Sequence, residues 1–163
     1  MFNKILQNAF NDQIQKEFYS SYLYLAMAAH FESANLPGFA SWMKKQAEEE
    51  RSHAMKLWDY VCDRGGKVEL QAVEQPPVTY GKPLEAFQLV LAHEQKVTAS
   101  IEALYALAQK EADAAAHIFL QWFVQEQVEE EKSVTDLIEQ LKMSGDQPFS
   151  ILFMDKHVLG ARK

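Results

Sequence analysis

The 163-residue chain contains a single cysteine, Cys62. One thiol closes no internal disulfide and offers none of the paired spacings of zinc or iron–sulfur sites. A disulfide scaffold and rubredoxin-type ligation are therefore excluded, and a reducing compartment is expected. By itself Cys62 reads as a small half-buried hydrophobe on a helix. Long apolar runs are also missing: the stretch from Tyr22 to Ala29 is the longest, far short of the roughly 18 residues that cross a bilayer. The opening Met1-Phe2-Asn3-Lys4 gives way to Gln, Asn and Asp before a signal-peptide core could form. These absences predict a cytoplasmic protein with no membrane contact. Positive charge is in deficit, 16 Lys and Arg against 23 Asp and Glu for a net −7. That balance counts against nucleic acid as a partner and favours cations.

Proline and glycine are scarce, with five and six copies, and they cluster between long periodic stretches as punctuation between helices. A first helix is expected from about Asn3 to Ser33 and a second from Pro37 to the Gly65-Gly66 stop. A third runs from near Pro83 to Lys110, and a fourth from Asp113 as N-cap to Gly145. Pro148 opens a short apolar segment, Phe149 to Leu159, that includes Ile151, Leu152, Phe153 and Val158. The fold class is all-α. With 48% apolar residues, the chain is expected to form one domain over 1–163, a bundle at about 3–145 and a short C-terminal helix at about 148–160. Helices of about 28 residues are roughly 42 Å long, and the linker from Gly66 to Lys82 is long enough to run that length. The short links make the first and second helices antiparallel, and the third and fourth. The long one makes the second and third parallel, which is an up-down-down-up bundle with one crossover.

Each helix carries an apolar stripe at spacings of three and four. On the first lie Leu6, Phe10, Glu17, Tyr24 and Ala28. The second reads Phe39, Met43, Gln46, Glu50, His53, Leu57, Val61; the third Leu84, Phe87, Leu91, Glu94, Thr98, Ile101, Tyr105; the fourth Phe119, Phe123, Gln127, Glu130, Val134, Leu137, Leu141. Glu17, Glu50, Glu94 and Glu130 thus stand where core residues belong, all near mid-helix, with no Lys or Arg on the stripes to pair them. Four carboxylates gathered in low dielectric would be costly to ionise and would repel one another. Two divalent cations remove both costs, and the imidazole of His53 suits iron better than magnesium or calcium.

With these residues in place the chain resembles the bacterial non-haem ferritins, members of the ferritin-like di-iron carboxylate proteins, over its whole length. In that group one Glu comes from each of two helices and a Glu-x-x-His pair from each of the other two; here the second pair is Gln127-x-x-Glu130. The resemblance implies that Glu17, Glu50 and His53 hold one iron, that Glu50 bridges, and that Glu94 with Glu130 holds a second more loosely, with Gln127 beside it. It further implies a third iron held by Glu49, Glu126 and Glu129 with a share of Glu130. Tyr24 matches a tyrosine beside the iron pair, as electron donor or hydrogen-bond donor, and Trp122 is a further candidate electron source. Bacterioferritins place a haem-ligating Met directly after the second-helix Glu; Arg51 stands there in this chain, so no haem is expected. His30, His93, His117 and His157 fall off the shared height and read as surface or interface residues.

The function implied is iron storage with ferroxidase activity. Fe(II) would be oxidised by O₂, with H₂O₂ open as an alternative oxidant, and stored as a ferric oxyhydroxide mineral inside a cage of 24 copies. The fifth segment would make symmetry contacts, against the simpler reading of a cap on its own bundle. A mini-ferritin that protects DNA and a di-iron peroxidase are the alternatives. The intrasubunit ligand set counts against the first and Gln127 against the second.

Overall fold

The computed structural model describes residues 2–159, which form helices and connections with no strand among them. Position 160, the expected end of the fifth helix, lies outside the described residues, and the side chain of Val158 is likewise not described. α1 spans Lys4–Ser33, and the Asn3 side chain accepts the N–H of Ile5 at 2.8 Å as its cap. α2 spans Pro37–Asp63 and stops before the expected glycines. α3, Pro83–Lys110, begins where Glu85 accepts the Lys82 N–H at 2.7 Å. α4, Ala114–Ser144, is capped by Asp113, which accepts from Ala116 N at 2.9 Å and also pairs with Arg64 at 2.8 Å. Gly145, at φ 72° and ψ 178°, takes a positive-φ conformation open essentially to glycine and ends α4.

Two apolar clusters fill the bundle, and their membership sets the topology. One joins the start of α1 (Leu6, Phe10, Ile14), the end of α2 (Leu57, Val61), the end of α3 (Ile101, Leu104, Ala108) and the start of α4 (Ala116, Leu120, Phe123). The other joins the opposite end of every helix: Met27 and Phe31, Phe39 and Met43, Phe87 and Val90, Val134 and Leu141. Helices whose starts share a cluster run together, so α1 and α4 point one way and α2 and α3 the other. This is the expected up-down-down-up arrangement. The crossover is laced to α1 by side-chain amides. Asn11 donates to Lys67 O and accepts from Glu69 N, both at 3.0 Å, and Gln15 donates to Ala72 O at 3.2 Å.

Three expectations need correction. On α3, Phe87, Glu94 and Ile101 are buried as expected. The companion row, however, is Val90, Val97 and Leu104, while Leu84, Leu91 and Tyr105 are only half-buried. On α4, Leu120 and Ile138 take the interior places assigned to Phe119 and Leu137. The displaced side chains sit at the margins, packed against the edges of the two clusters. Cys62 is exposed rather than half-buried, because it lies on the outer side of the last turn of α2. No described helix is long and apolar enough to cross a membrane.

The C-terminal segment does two things at once. α5, Pro148–Phe153, continues as a π-helix over Met154–Leu159. Met154 and Leu159 are buried in the second cluster. Asp155 accepts the Phe39 N–H at 2.9 Å, serving the N-terminus of α2 that Leu36 leaves without a side-chain cap. Gly38 is needed there, since a Cβ would fall 1.8 Å from the Asp155 carbonyl oxygen. Phe149, Leu152 and Phe153 point outward and stay exposed. The segment is thus a cap on its own bundle with an apolar outer face.

Candidate metal centre

Between the two apolar clusters lies a polar layer one to two turns thick. Every helix switches from apolar to polar side chains at that height. α1 switches at Glu17 and Ser20, α2 at Glu50 and His53, α3 at Glu94, and α4 at Gln127 and Glu130, all buried. The four glutamates are at most 7% exposed. Glu17, Glu50 and His53 each present a ligand atom within 4.8 Å of the others, and so do His53, Glu126 and Glu130. His53 is therefore shared by two potential cation positions. Its Nδ1 lies 3.5 Å from Glu50 and its Nε2 3.9 Å from Glu126.

Three carboxylates are each steadied by a different glutamine. Gln13 donates to Glu17 Oε1 at 2.7 Å, Gln46 on α2 donates across the bundle to Glu130 Oε2 at 2.9 Å, and Gln127 donates to Glu94 Oε2 at 3.2 Å. Tyr24 donates its hydroxyl to the other oxygen of Glu94. Glu50 has no such support. Both of its oxygens, and Glu17 Oε2, are buried with no donor from another side chain, and the two carboxyls face each other closely enough to share a proton. An ionised carboxylate in that state costs several kcal/mol, so these three oxygens are the acceptors that a cation would satisfy. With both oxygens open, Glu50 is equipped to bridge.

The electrostatics agree. Burial first, and then the charge of Glu50, pushes Glu17 well above the usual carboxylate range. Glu50 is pushed up by burial and then by Glu94, and Glu130 rises to about 7 for the same two reasons. Glu94 is also raised by burial, with the Tyr24 and Gln127 hydrogen bonds working against the rise. Burial and neighbouring carboxylates hold the Tyr24 phenol well above its ordinary value. Each of these shifts favours a proton on the carboxylate, and a divalent cation would bind by displacing it.

Of the residues matched to a third iron, Glu126 reaches His53, while Glu49 is half-buried and adds a minor charge effect on Glu50 and Glu130. Glu129 is exposed and belongs to neither ligand group. Gln127 faces the layer with its amide nitrogen, so it supports Glu94 rather than offering a ligand oxygen. Trp122 packs edge-on against His53 with centroids 5.4 Å apart, under the Lys56 ammonium. Among the off-stripe histidines, His157 is exposed, His30 contacts Gly81 O at 2.9 Å and His117 packs at a tilt against Tyr105. His93 is half-buried at the edge of a surface depression. Its Nε2 is 2.7 Å from Ser20, and burial lowers its pKa to about 4. The supports Gln13, Thr98 and Ser100 were not read from sequence as site residues. Their one available signal is Gln13 standing a single turn before Glu17, as Gln46 does before Glu50.

The family of the ferritin-like domain matches residues 7–144. The chain belongs to the ferritin family. It is 43% identical over 162 residues to the bacterial non-heme ferritin of Bacteroides fragilis (strain 638R), covering 99% of this chain and all of that one. It is 38% identical to that of Staphylococcus aureus (strain USA300), over 99% and 97% of the two chains. Among solved structures it is similar to the open pore ferritin of the hyperthermophilic archaeon Archaeoglobus fulgidus, with a TM-score of 0.97, 47% identity and full coverage of both chains. For a ferritin-family chain the polar layer acquires a chemical reading: four carboxyl groups and an imidazole grouped inside one chain, able to hold a cation.

Proposed function

We propose that this protein stores iron, oxidising Fe(II) with O₂ at the mid-height layer and keeping the product as a ferric oxyhydroxide mineral inside a cage of its own copies. Iron is the substrate. Glu17, Glu50 and His53 would hold one ion and Glu94 with Glu130 a second, Glu50 lying between, and Glu126 beside His53 offers a place for a third. The observation that carries this reading is the set of buried carboxylate oxygens without a donor on Glu17 and Glu50, whose ligand atoms lie within 4.8 Å of one another and of His53. Anionic oxygens stabilise Fe(III) over Fe(II), so the layer draws electrons out of bound iron toward O₂. The pair would supply two electrons, which reduce one O₂ to H₂O₂, while water supplies the oxygen of the ferric oxyhydroxide and the protons released leave to solvent.

Storage needs an enclosed volume larger than one bundle. The exposed Phe149, Leu152 and Phe153 give the C-terminal segment an apolar face for neighbouring copies, and a 24-subunit cage is the assembly we assign. The single exposed thiol and the acidic composition accord with a cytoplasmic protein acting as one domain. The test is to add Fe(II) in air, follow ferric absorbance and size the product by gel filtration. Rapid oxidation and retention of iron on a large particle are expected. A small particle that oxidises no faster than buffer would overturn the reading.

A further inference from the structure

We propose that Thr98 and Glu131 are positioning residues for the second iron: one committed hydroxyl proton fixes which end of the Gln127 amide faces Glu94. This rests on the assignment of Glu94 as an iron ligand and names what tunes it. A glutamine amide has a donor end and an acceptor end of nearly the same shape, so rotating it by half a turn swaps an N–H for an oxygen at Glu94. With nitrogen inward the carboxylate is held by a hydrogen bond. With oxygen inward, two acceptors face each other.

The chain of constraint begins outside the layer. Glu131 is half-buried on α4, at an opening of about 220 Å³ between α3 and α4 that is also lined by Thr98 and Gln127. Its Oε1 accepts the Thr98 hydroxyl at 2.5 Å. A carboxylate only accepts, and threonine has one hydroxyl proton, so that proton is spent on Glu131. Thr98 Oγ1 is left with lone pairs for its other neighbour, Gln127 Nε2 at 3.2 Å. The amide must therefore put its NH₂ on this side, where the remaining acceptors are Glu94 Oε2 at 3.2 Å and the Glu94 carbonyl at 3.3 Å. Glu131 thereby orients Glu94 without touching it. The opposite wall of the layer has a looser counterpart. Ser100 donates to Gln13 Oε1 at 2.9 Å and leaves Gln13 Nε2 for Glu17, but the Val97 carbonyl competes for the Ser100 proton at the same distance.

Outer partners of this kind typically alter metal affinity by about 10–100-fold; a neutral hydroxyl acting through an amide should sit at the low end. Anaerobic calorimetric titration with Fe(II) alone reads the two binding steps without depending on oxidation. Thr98→Val keeps the β-branched shape and removes the hydroxyl. It should weaken the second step about tenfold and leave the first in place, with an unchanged melting temperature showing an intact fold. Thr98→Ser should restore the second step, and Glu131→Gln, whose amide oxygen still accepts, should stay near the parent. Glu131→Ala should weaken the second step, yet add nothing on top of Thr98→Val, because both act through one amide. Full additivity of the pair, equal loss in both steps, or an unaltered second step in Thr98→Val would each overturn the proposal. Glu94→Ala separates this from the parent reading. If it keeps the second step, the ligand assignment itself fails and the positioning role falls with it.

Discussion

The two halves of the polar layer differ in how well their own side chains satisfy them. On the α1 and α2 side, Glu17 keeps one bare oxygen and Glu50 two, grouped with His53. On the α3 and α4 side, both oxygens of Glu94 receive donors, from Tyr24 and Gln127, and Glu130 receives Gln46. A cation entering the first half fills vacant acceptors; one entering the second meets a carboxylate that Gln127 already orients and must displace the Tyr24 hydroxyl from its other oxygen. The difference teaches that the two positions need not be equal in affinity, because the number of carboxylate oxygens left without a donor differs although each half has two glutamates.

The largest break in this comparison comes from the open half. Glu50→Ala with His53→Ala removes the bridging carboxylate and the shared imidazole. The initial rate of Fe(II) oxidation should fall by at least about 100-fold, more than loss of a supporting partner costs, while the particle elutes as before. An unchanged initial rate would exclude the site. Glu94→Ala or Glu130→Ala cuts the satisfied half instead. We expect about tenfold slower oxidation and loss of the weaker of two Fe(II) steps in anaerobic titration. Loss of the tighter step would reverse the comparison.

A smaller effect concerns protons. Folding raises Glu130 to about 7 and lifts Glu17 and Glu50 in the same direction, mainly by burial. The folded, iron-free protein therefore holds protons that the unfolded chain has already released. This contribution to stability is fully present below the ordinary carboxylate pKa and is lost as pH rises through about 7. Moving from pH 8 to 6 should add roughly 1.4 kcal/mol from Glu130 alone, seen as a higher melting temperature of the metal-free protein. Saturating divalent metal should flatten the trend, since it substitutes for those protons. A melting temperature that rises with pH in the metal-free protein would contradict the assigned burial.

What could be read in advance follows from what spacing encodes. Four glutamates on interior stripes at one height are visible because period and register along each helix are local properties. The partners are not local. Gln46 serves Glu130 across the bundle and Gln127 serves Glu94, pairings that depend on the rotation of each helix about its axis. That rotation differs from the expected one on α3 and α4, where Leu84, Leu91, Phe119 and Leu137 lie at the margins while Val90, Val97, Leu104, Leu120 and Ile138 hold the interior. Thr98 sat on the expected stripe, yet its value lies in Glu131 beyond it. The C-terminal segment was ambiguous for a similar reason: Met154 and Leu159 face inward while Phe149 and Leu152 face out, and a short apolar run does not declare two faces.

The smallest effect sharpens the comparison from inside the satisfied half. Tyr24 is fully buried and gives its hydroxyl to Glu94, and burial with surrounding carboxylates holds the phenol protonated far above neutrality. Tyr24→Phe keeps the ring in the apolar cluster and frees one Glu94 oxygen for metal. As a hydrogen-bond donor, Tyr24 restrains the second ion. Its removal should strengthen the second Fe(II) step by a few-fold, in line with the roughly 0.5–1.5 kcal/mol net worth of one hydrogen bond, and leave the first step alone. If Tyr24 also supplies an electron, the same variant slows oxidation at saturating iron although binding has tightened. Opposite signs in the two measurements separate the redox role from the structural one, and a weaker second step would refute the restraint.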